Sequence, residues 1–382
     1  MAGESLRSAV ILTADYPPIE GGISTVAVNV AREMAASGWA VTVVAPYFPE
    51  MDAFDRTEPV SVVRFRGYAL GPMRVVPMAI AAWPLIRCAD MILGINVSHG
   101  GLIAYAAHRL MRKPYVLFAY GYEFLKFRQR PLLRSVLRTV YARAQTVVAI
   151  SRFTRDALVA FGVDDGKVGT ILPGASPPKP VADETIERVT LKYVLEGRRI
   201  ILAVGRLIPR KGHVTLIRAM PRILERVPNA CLIVVGRGPT MSECSRTACE
   251  LGVRDAIRFP GYVADDEVAA LYTICDVFAL PTGGDDNEHV EGFGLVFSEA
   301  HAYGKPVVAG RAGGVTDAVI DGETGLLVEP GNEQDTADAI LRILDDPELA
   351  QRLGENGRQR VETELNWAAF TRRMLQAAER QP

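Results

Sequence analysis

The sequence predicts an α/β protein built from two doubly wound domains in tandem. Three observations lead to that class. The chain has 382 residues, more than one ordinary domain holds, and 49% of them are apolar. Short apolar runs of strand length alternate with helix-patterned segments along most of it. The alternation breaks once, at a Pro-rich stretch, and then begins again.

Residues 8–13 form the first apolar run, followed by a glycine turn at Gly21-Gly22. A helical pattern over 25–37 places Val26, Val30 and Met34 on one face, Gly38 closes it, and 40–45 is the next run. Strand, glycine turn, helix and strand make a βαβ unit. Further strands are expected at 91–95, 115–118 and 146–150, with helices between them. Runs apolar on both faces call for a parallel sheet covered on both sides. Residues 131–144 read as a helix with Leu133, Val136, Leu137 and Val140 on one side and Arg134 and Arg138 on another.

Gly174-Ala-Ser-Pro-Pro-Lys-Pro180 interrupts the pattern, and 174–197 is read as a linker. The second series has expected strands at 200–204, 230–235, 256–259, 277–279 and 306–309. Its expected helices are 214–226, 240–251, 266–270, 294–303 and 333–344. The layout is therefore a first domain 1–173, the linker, a second domain 198–365, and a terminal helix 366–382 crossing back to the first. Ligands of such sheets sit at the carboxyl ends of the strands, so the two domains are expected to face a shared cleft.

Composition narrows the class. The five cysteines, Cys88, Cys231, Cys244, Cys249 and Cys275, show neither C-x-x-C nor zinc spacing, which predicts buried thiols in a reducing compartment. No stretch reads as a secretory signal. Residues 75–94 are the most apolar later segment, but Pro77, Pro84, Arg87 and Asp90 argue against a membrane span. A cytoplasmic protein, soluble or peripheral on the inner membrane face, is expected. Residues 1–180 hold 20 Lys/Arg against 13 Asp/Glu, whereas 181–382 hold 23 against 31. The basic first half suits an anionic contact. Its stretch 124–155 carries eight Lys/Arg and no acid, as a patch resting on anionic lipid headgroups would; a packed helix with solvated arginines explains the same pattern. A nucleic-acid partner is not expected.

The densest constellation is Glu291-Gly-Phe-Gly-Leu-Val-Phe-Ser-Glu299. Gly292 and Gly294 open a helix, whose first backbone N–H groups and partial positive charge favour phosphate oxygens. Glu291 just before it can accept hydrogen bonds from sugar hydroxyls, and Glu299 can reach a ribose diol. A Gly-rich turn before a surface helix is the plainer alternative.

This stretch resembles the E-x7-E motif of the retaining GT-B glycosyltransferases of family four, including the following Ala300-His-Ala-Tyr-Gly-Lys-Pro306 and Gly313-Gly314. Pro17-Pro18-Ile-Glu-Gly21-Gly22 is similar to that family's first glycine loop, and Gly205-Arg206-Leu-Ile-Pro-Arg-Lys211-Gly212 to its phosphate-gripping loop. Val235-Gly236-Arg-Gly238-Pro239 and Phe259-Pro-Gly261-Tyr-Val263 resemble the two loops flanking the base. Asp321-Gly-Glu-Thr-Gly325 and Trp367 complete an ordered set that covers nearly the whole chain. The C-terminal half most resembles the phosphatidylinositol mannosyltransferase branch.

The resemblance implies two Rossmann-like domains and transfer of a hexose, mannose or glucose, from a GDP- or UDP-sugar to a hydroxyl acceptor, lipid-linked in that branch, with retention. The nucleotide sugar is a substrate, and neither cofactor nor metal is implied. Arg206 and Lys211 would neutralise the diphosphate, and Gly21 and Gly22 would let backbone approach it. Glu291 would hold the transferred sugar, Gly292, Phe293, Gly294 and Leu295 the phosphate end, and Glu299 the ribose. The backbone at Gly236 and Val263 would meet the base. Many relatives carry His-Gly where this chain has Tyr120-Gly121, so Tyr120 and Glu123 stand on the acceptor or sugar side; His99 is a candidate substitute imidazole, although a lone histidine there is more often structural. Asp285-Asp286, in a Gly-rich loop, is read as solvated. A sugar-nucleotide epimerase or phosphorylase, or a non-catalytic sugar-nucleotide-binding module, would share the architecture; the ordered motifs speak against the first two and the intact donor loops against the last.

Overall fold

The structure, a computed structural model, describes residues 6–49, 51–283 and 290–380. It separates into two units. One runs to Pro173 and takes in the segment from Trp367 onward; the other is Gly174–Asn366.

The first unit is a seven-stranded sheet of β1 (Ser8–Leu12), β2 (Ala40–Pro46), β3 (Ser61–Phe65), β4 (Met91–Gly94), β5 (Tyr115–Ala119), β6 (Thr146–Ala149) and β7 (Val168–Thr170), in the order β3-β2-β1-β4-β5-β6-β7. Every pairing in it is parallel. Helices Val75–Cys88, Leu102–Met111, Pro131–Ala142 and Arg152–Phe161 bury one side against Val10, Leu12, Ile92, Leu117 and Val147. Helix Trp367–Glu379 belongs to this unit. Trp367 packs edge-on to Phe370, and Phe370 meets Phe118 of β5 at 6.1 Å. Gln145 and Thr146 donate to the last-turn carbonyls of Ala378 and Ala377 at 2.7 and 3.0 Å.

The second unit repeats the plan with β8 (Arg199–Val204), β9 (Ala230–Val235), β10 (Ile257–Gly261), β11 (Val277–Leu280), β12 (Val307–Gly310) and β13 (Gly325–Val328), in the order β10-β9-β8-β11-β12-β13. All its pairings are parallel too.

Several expectations need correction. The segment 174–197, read as a linker, carries the helix Asp183–Tyr193. That helix is fastened to helix Asp265–Ile274 by Arg188–Asp266 and Lys192–Glu267, each at 2.8 Å, and by the Tyr193 hydroxyl on Glu267. Strands β3, β7 and β13 are edge strands of five, three and four residues, too short to give a clear pattern in the sequence. Cys88 and Cys249 are exposed rather than buried, and all five cysteines are free. The stretch Tyr68–Cys88 has the length and apolar composition of a membrane span. It is interrupted at Gly71, which is non-helical, and the regular part, Val75–Cys88, has 14 residues. That length covers roughly 21 Å, short of a bilayer core of about 30 Å.

Helix Pro347–Thr363 was missed because Gly354 and Gly357 weaken its helix signal. Both glycines are needed for packing. A Cβ on Gly357 would lie 2.4 Å from the buried His301 ring, which is fixed by its Nε2 contact with the Thr324 carbonyl at 2.8 Å. His301 belongs to helix Leu295–Ala302, the helix that also carries Glu299. Gly357→Ala should therefore destabilise the second unit by about 1–3 kcal/mol through overpacking. Calorimetric melting checks this; an unchanged melting temperature contradicts the packing account.

Candidate active site

In each sheet the strand order reverses once, between β1 and β4 and between β8 and β11. The crevice beyond the carboxyl ends of such strands is where doubly wound sheets bind ligands. In the second unit the loop after β8 holds Arg206, Arg210 and Lys211, and the chain after β11 leads to Glu291. The fold thus converges two motifs that lie 80 residues apart in sequence.

Lys211 Nζ lies 2.9 Å from Glu291 Oε2, and Arg210 Nε lies 3.6 Å from the same oxygen. The Lys211 and Glu291 side chains are only 11% and 14% exposed. Burial pushes the Glu291 carboxyl up, but Lys211 and then Arg210 outweigh it and hold the group below its ordinary value. It is an ionised carboxylate fixed between two cations. Backbone contacts set the spacing: Gly283 N–H donates to the Arg210 carbonyl at 2.8 Å, and Gly314 N–H to the Glu291 carbonyl at 2.9 Å. The family resemblance assigns the loop's charge to Arg206 and Lys211 and gives Arg210 no role. Arg206 itself is exposed and forms no ion pair among the described residues.

Gly294 caps the eight-residue helix Leu295–Ala302. The first N–H groups of a helix have no partner within it and carry partial positive charge. Phe293 is 2% exposed, so its ring serves the packing beneath the helix start. Glu299 follows on the same helix, and its Oε2 accepts a hydrogen bond from the Tyr272 hydroxyl at 3.2 Å. Burial raises its carboxyl; the Tyr272 bond and the Lys211 charge lower it less.

The two loops expected at the base have a structural duty as well. Gly236 has φ +133°, and a Cβ there would sit 2.0 Å from the Gly205 carbonyl oxygen. Its N–H is engaged with the Gly261 carbonyl at 2.8 Å. Only glycine lets the turn after β9 lie against the loop after β8. Val263 is buried, and the Arg237 guanidinium lies over the Tyr262 ring at 5.9 Å.

In the first unit Gly21 caps helix Gly22–Ala36, directly after the β1 loop. Tyr120 follows β5. Its hydroxyl is buried with no hydrogen-bond partner among the described residues, and burial holds it neutral, far above its ordinary pKa. Glu123 is 8% exposed, and its Oε1 accepts the Tyr120 backbone N–H at 2.8 Å. Glu123 thus braces the Tyr120-Gly121 turn from within. His99 does not replace a titrating imidazole. Its Nε2 accepts from Arg74 Nε at 3.1 Å, and burial with the Arg74 and Lys126 charges lowers it to about 4. Asp285 and Asp286 lie outside the described residues.

Comparison with known proteins bears on this arrangement. The profile of Glycosyltransferase Family 4 matches residues 20–177, and that of Glycosyl transferases group 1 matches residues 188–360. A Mycobacterium tuberculosis protein is 32% identical over 372 residues, 95% of each chain. The chain belongs to the family-four GT-B glycosyltransferases. That relative is named a GDP-mannose-dependent alpha-(1-6)-phosphatidylinositol monomannoside mannosyltransferase. A protein of the same name from Mycolicibacterium smegmatis is 30% identical over 364 residues, 94% of each chain. Among solved structures, Anabaena HepE in complex with UDP and glucose superposes with a TM-score of 0.81 at 20% identity, covering 98% of this chain and 100% of that one. Sucrose-phosphate synthase of Thermosynechococcus elongatus gives 0.80 at 24%, covering 98% of both. These two likenesses concern the fold. The chain is a nucleotide-sugar-dependent hexosyltransferase.

The Arg210–Glu291 contact generates a pH prediction. Arg210 helps hold the Glu291 carboxyl low, so removing its charge raises that pKa. Arg210→Gln should move the acid limb of kcat/KM to higher pH. An acid limb unmoved in the variant contradicts a role for Glu291 ionisation.

Proposed function

We propose that this glycosyltransferase moves mannose from GDP-mannose to a hydroxyl of a phosphoinositide glycolipid at the inner membrane face, with retention of anomeric configuration. The observation that carries the reading is the Lys211–Glu291–Arg210 cluster at the β8/β11 switch point. The near full-length similarity to GDP-mannose-dependent relatives supports the choice of donor.

In this reading Lys211 and Arg206 neutralise the diphosphate, including the charge that grows on the leaving group. Gly292, Phe293, Gly294 and Leu295 present the backbone at the helix start to it. Gly21 and Gly22 do the same from the first unit. Glu291, fixed and ionised, accepts hydrogen bonds from sugar hydroxyls. Glu299 takes the ribose diol, while Gly236 and Val263 border the base. The Tyr120 hydroxyl, neutral and unpartnered, donates to the sugar, and Glu123 holds its backbone. The acceptor attacks on the face the leaving group departs from, and a diphosphate oxygen takes its proton, as the family resemblance implies. The protein then contributes positioning and charge stabilisation. Arg206→Ala and Lys211→Ala should each lower turnover about 10²–10³-fold, the scale of losing one charge-stabilising donor. A thermal-shift screen should show stabilisation by GDP-mannose ahead of UDP- and ADP-sugars. Near-normal turnover in both folded variants, or no shift with any donor, overturns the assignment.

The lipid side rests on helix Pro131–Ala142. Its apolar residues divide: Leu137, Val140 and Tyr141 enter the core, while Leu132, Leu133 and Val136 are 83%, 43% and 49% exposed. The stripe expected from the sequence is therefore only half packed. Arg128, Arg134 and Arg138 line a groove of about 420 Å³ beside the exposed leucines. Apolar side chains bracketed by arginines suit an anionic bilayer surface, where each basic residue contributes about 1 kcal/mol. The protein should sediment with anionic vesicles at low salt, ignore neutral ones, and be released as salt rises. Failure to bind anionic vesicles at low salt points instead to a soluble acceptor.

A further inference from the structure

We infer that Tyr272 is a positioning residue for the nucleotide ribose, acting through its hydrogen bond to the Glu299 carboxylate. The inference rests on the assignment of Glu299 to the ribose diol. Tyr272 lies on helix Asp265–Ile274 and is 3% exposed. Its ring is stacked against two others. The Phe278 centroid is 5.8 Å away with a 26° interplanar angle, and the Tyr303 centroid is 5.3 Å away at 13°. Phe278 is in β11 and Tyr303 closes the Glu299 helix, so the ring is pinned between the strand and the helix that frame the switch point.

The packing needs a flat ring here and has no use for a hydroxyl. Phenylalanine would stack equally well, and a buried hydroxyl is costly unless something accepts its proton. The acceptor is Glu299 Oε2, at 3.2 Å. The opposite oxygen, Oε1, has no hydrogen bond among the described residues. Glu299 thus carries one anchored oxygen and one left for a ligand. Around it, Lys211 acts as an attracting charge and Asp265 as a repelling one, but Tyr272 alone gives it a directed contact. A glutamate on an unrestrained side chain loses rotamer freedom when it takes up a diol. One already fixed by the phenol does not, which is the advantage of preorganisation.

The purely packing role of Tyr272 and the positioning role differ in what they do to ribose recognition. Calorimetry with GDP and with 2′,3′-dideoxy-GDP separates them in the full-length protein, with UDP and its dideoxy form used if the donor screen selects uridine. The wild type should prefer GDP over the dideoxy form, and Glu299→Ala should erase that preference. Tyr272→Phe, which keeps the stack, should weaken GDP binding by up to about 10-fold, the scale of ordering one glutamate side chain, and leave dideoxy-GDP binding unchanged. An equal loss for both ligands would show that the residue acts through the fold, and an undiminished preference would show that the hydroxyl is idle; either overturns the inference alone. If the wild type does not distinguish the two ligands, or Glu299→Ala keeps the distinction, the ribose assignment falls and takes the inference with it.

Discussion

The second unit is organised around one buried contact, the Lys211–Glu291 ion pair with Arg210 beside it. Taking charges out of water is expensive, and a buried pair rarely repays the cost as stability. This one has more positive than negative charge, which suits a pocket built for a further anion. The requirement fixes the local backbone. The loop after β8 must stand a hydrogen bond from the end of β11, which Gly283 and Arg210 supply, and Glu291 must be tethered to the Gly313-Gly314 turn after β12. Three strand ends are thereby joined around one carboxylate.

Sheet order explains why the site forms there. Both units place their first strand beside their fourth, so each leaves a crevice where connections depart in opposite directions. The second unit fills that crevice with charge. The first fills its own with groups held neutral or tied down, such as His99 and the Tyr120-Gly121 turn. The unequal loops divide the labour on two copies of one architecture. Helix Trp367–Glu379 is part of the first unit although it follows the second in sequence, because Trp367 and Phe370 complete that unit's aromatic packing.

Much of this was legible in the residues. Buried strands such as Ala230–Val235 are apolar throughout, which is how a strand covered on both faces must read. Glu291 and Glu299 stood out because they flank glycines that open a helix, whereas Lys211 was assigned through the family resemblance. Less legible were features that depend on partners distant in sequence. Arg210 resembled any loop arginine until Glu291 arrived beside it. Tyr272 resembled a core aromatic, since nothing local says that its hydroxyl meets a carboxylate 27 positions away. The helix Asp183–Tyr193 was hidden behind a Pro-rich lead-in, and its attachment to Glu267 is a tertiary fact. His99 could be proposed as an imidazole from position alone; only the Arg74 contact reveals that its acceptor nitrogen is taken.

The protonation states of these groups bear on how the transfer reaction runs. A residue that relays protons at neutral pH works best with a pKa near that pH. Around the two crevices several groups are displaced away from it, whereas burial raises the carboxyls of Glu123 and Glu299 toward it. Tyr120 is held far above its ordinary value by burial, and His99 and His213 are lowered to about 4, chiefly by desolvation. Glu291 is displaced downward by Lys211 and Arg210 against the effect of its burial, and so stays charged. Such groups can orient hydroxyls and hold charge, but they exchange protons poorly under the same conditions. A reaction in which the departing diphosphate accepts the incoming hydroxyl's proton makes no such demand on them. It requires a fixed carboxylate and cations beside it, and the second unit holds both in Glu291 with Lys211 and Arg210.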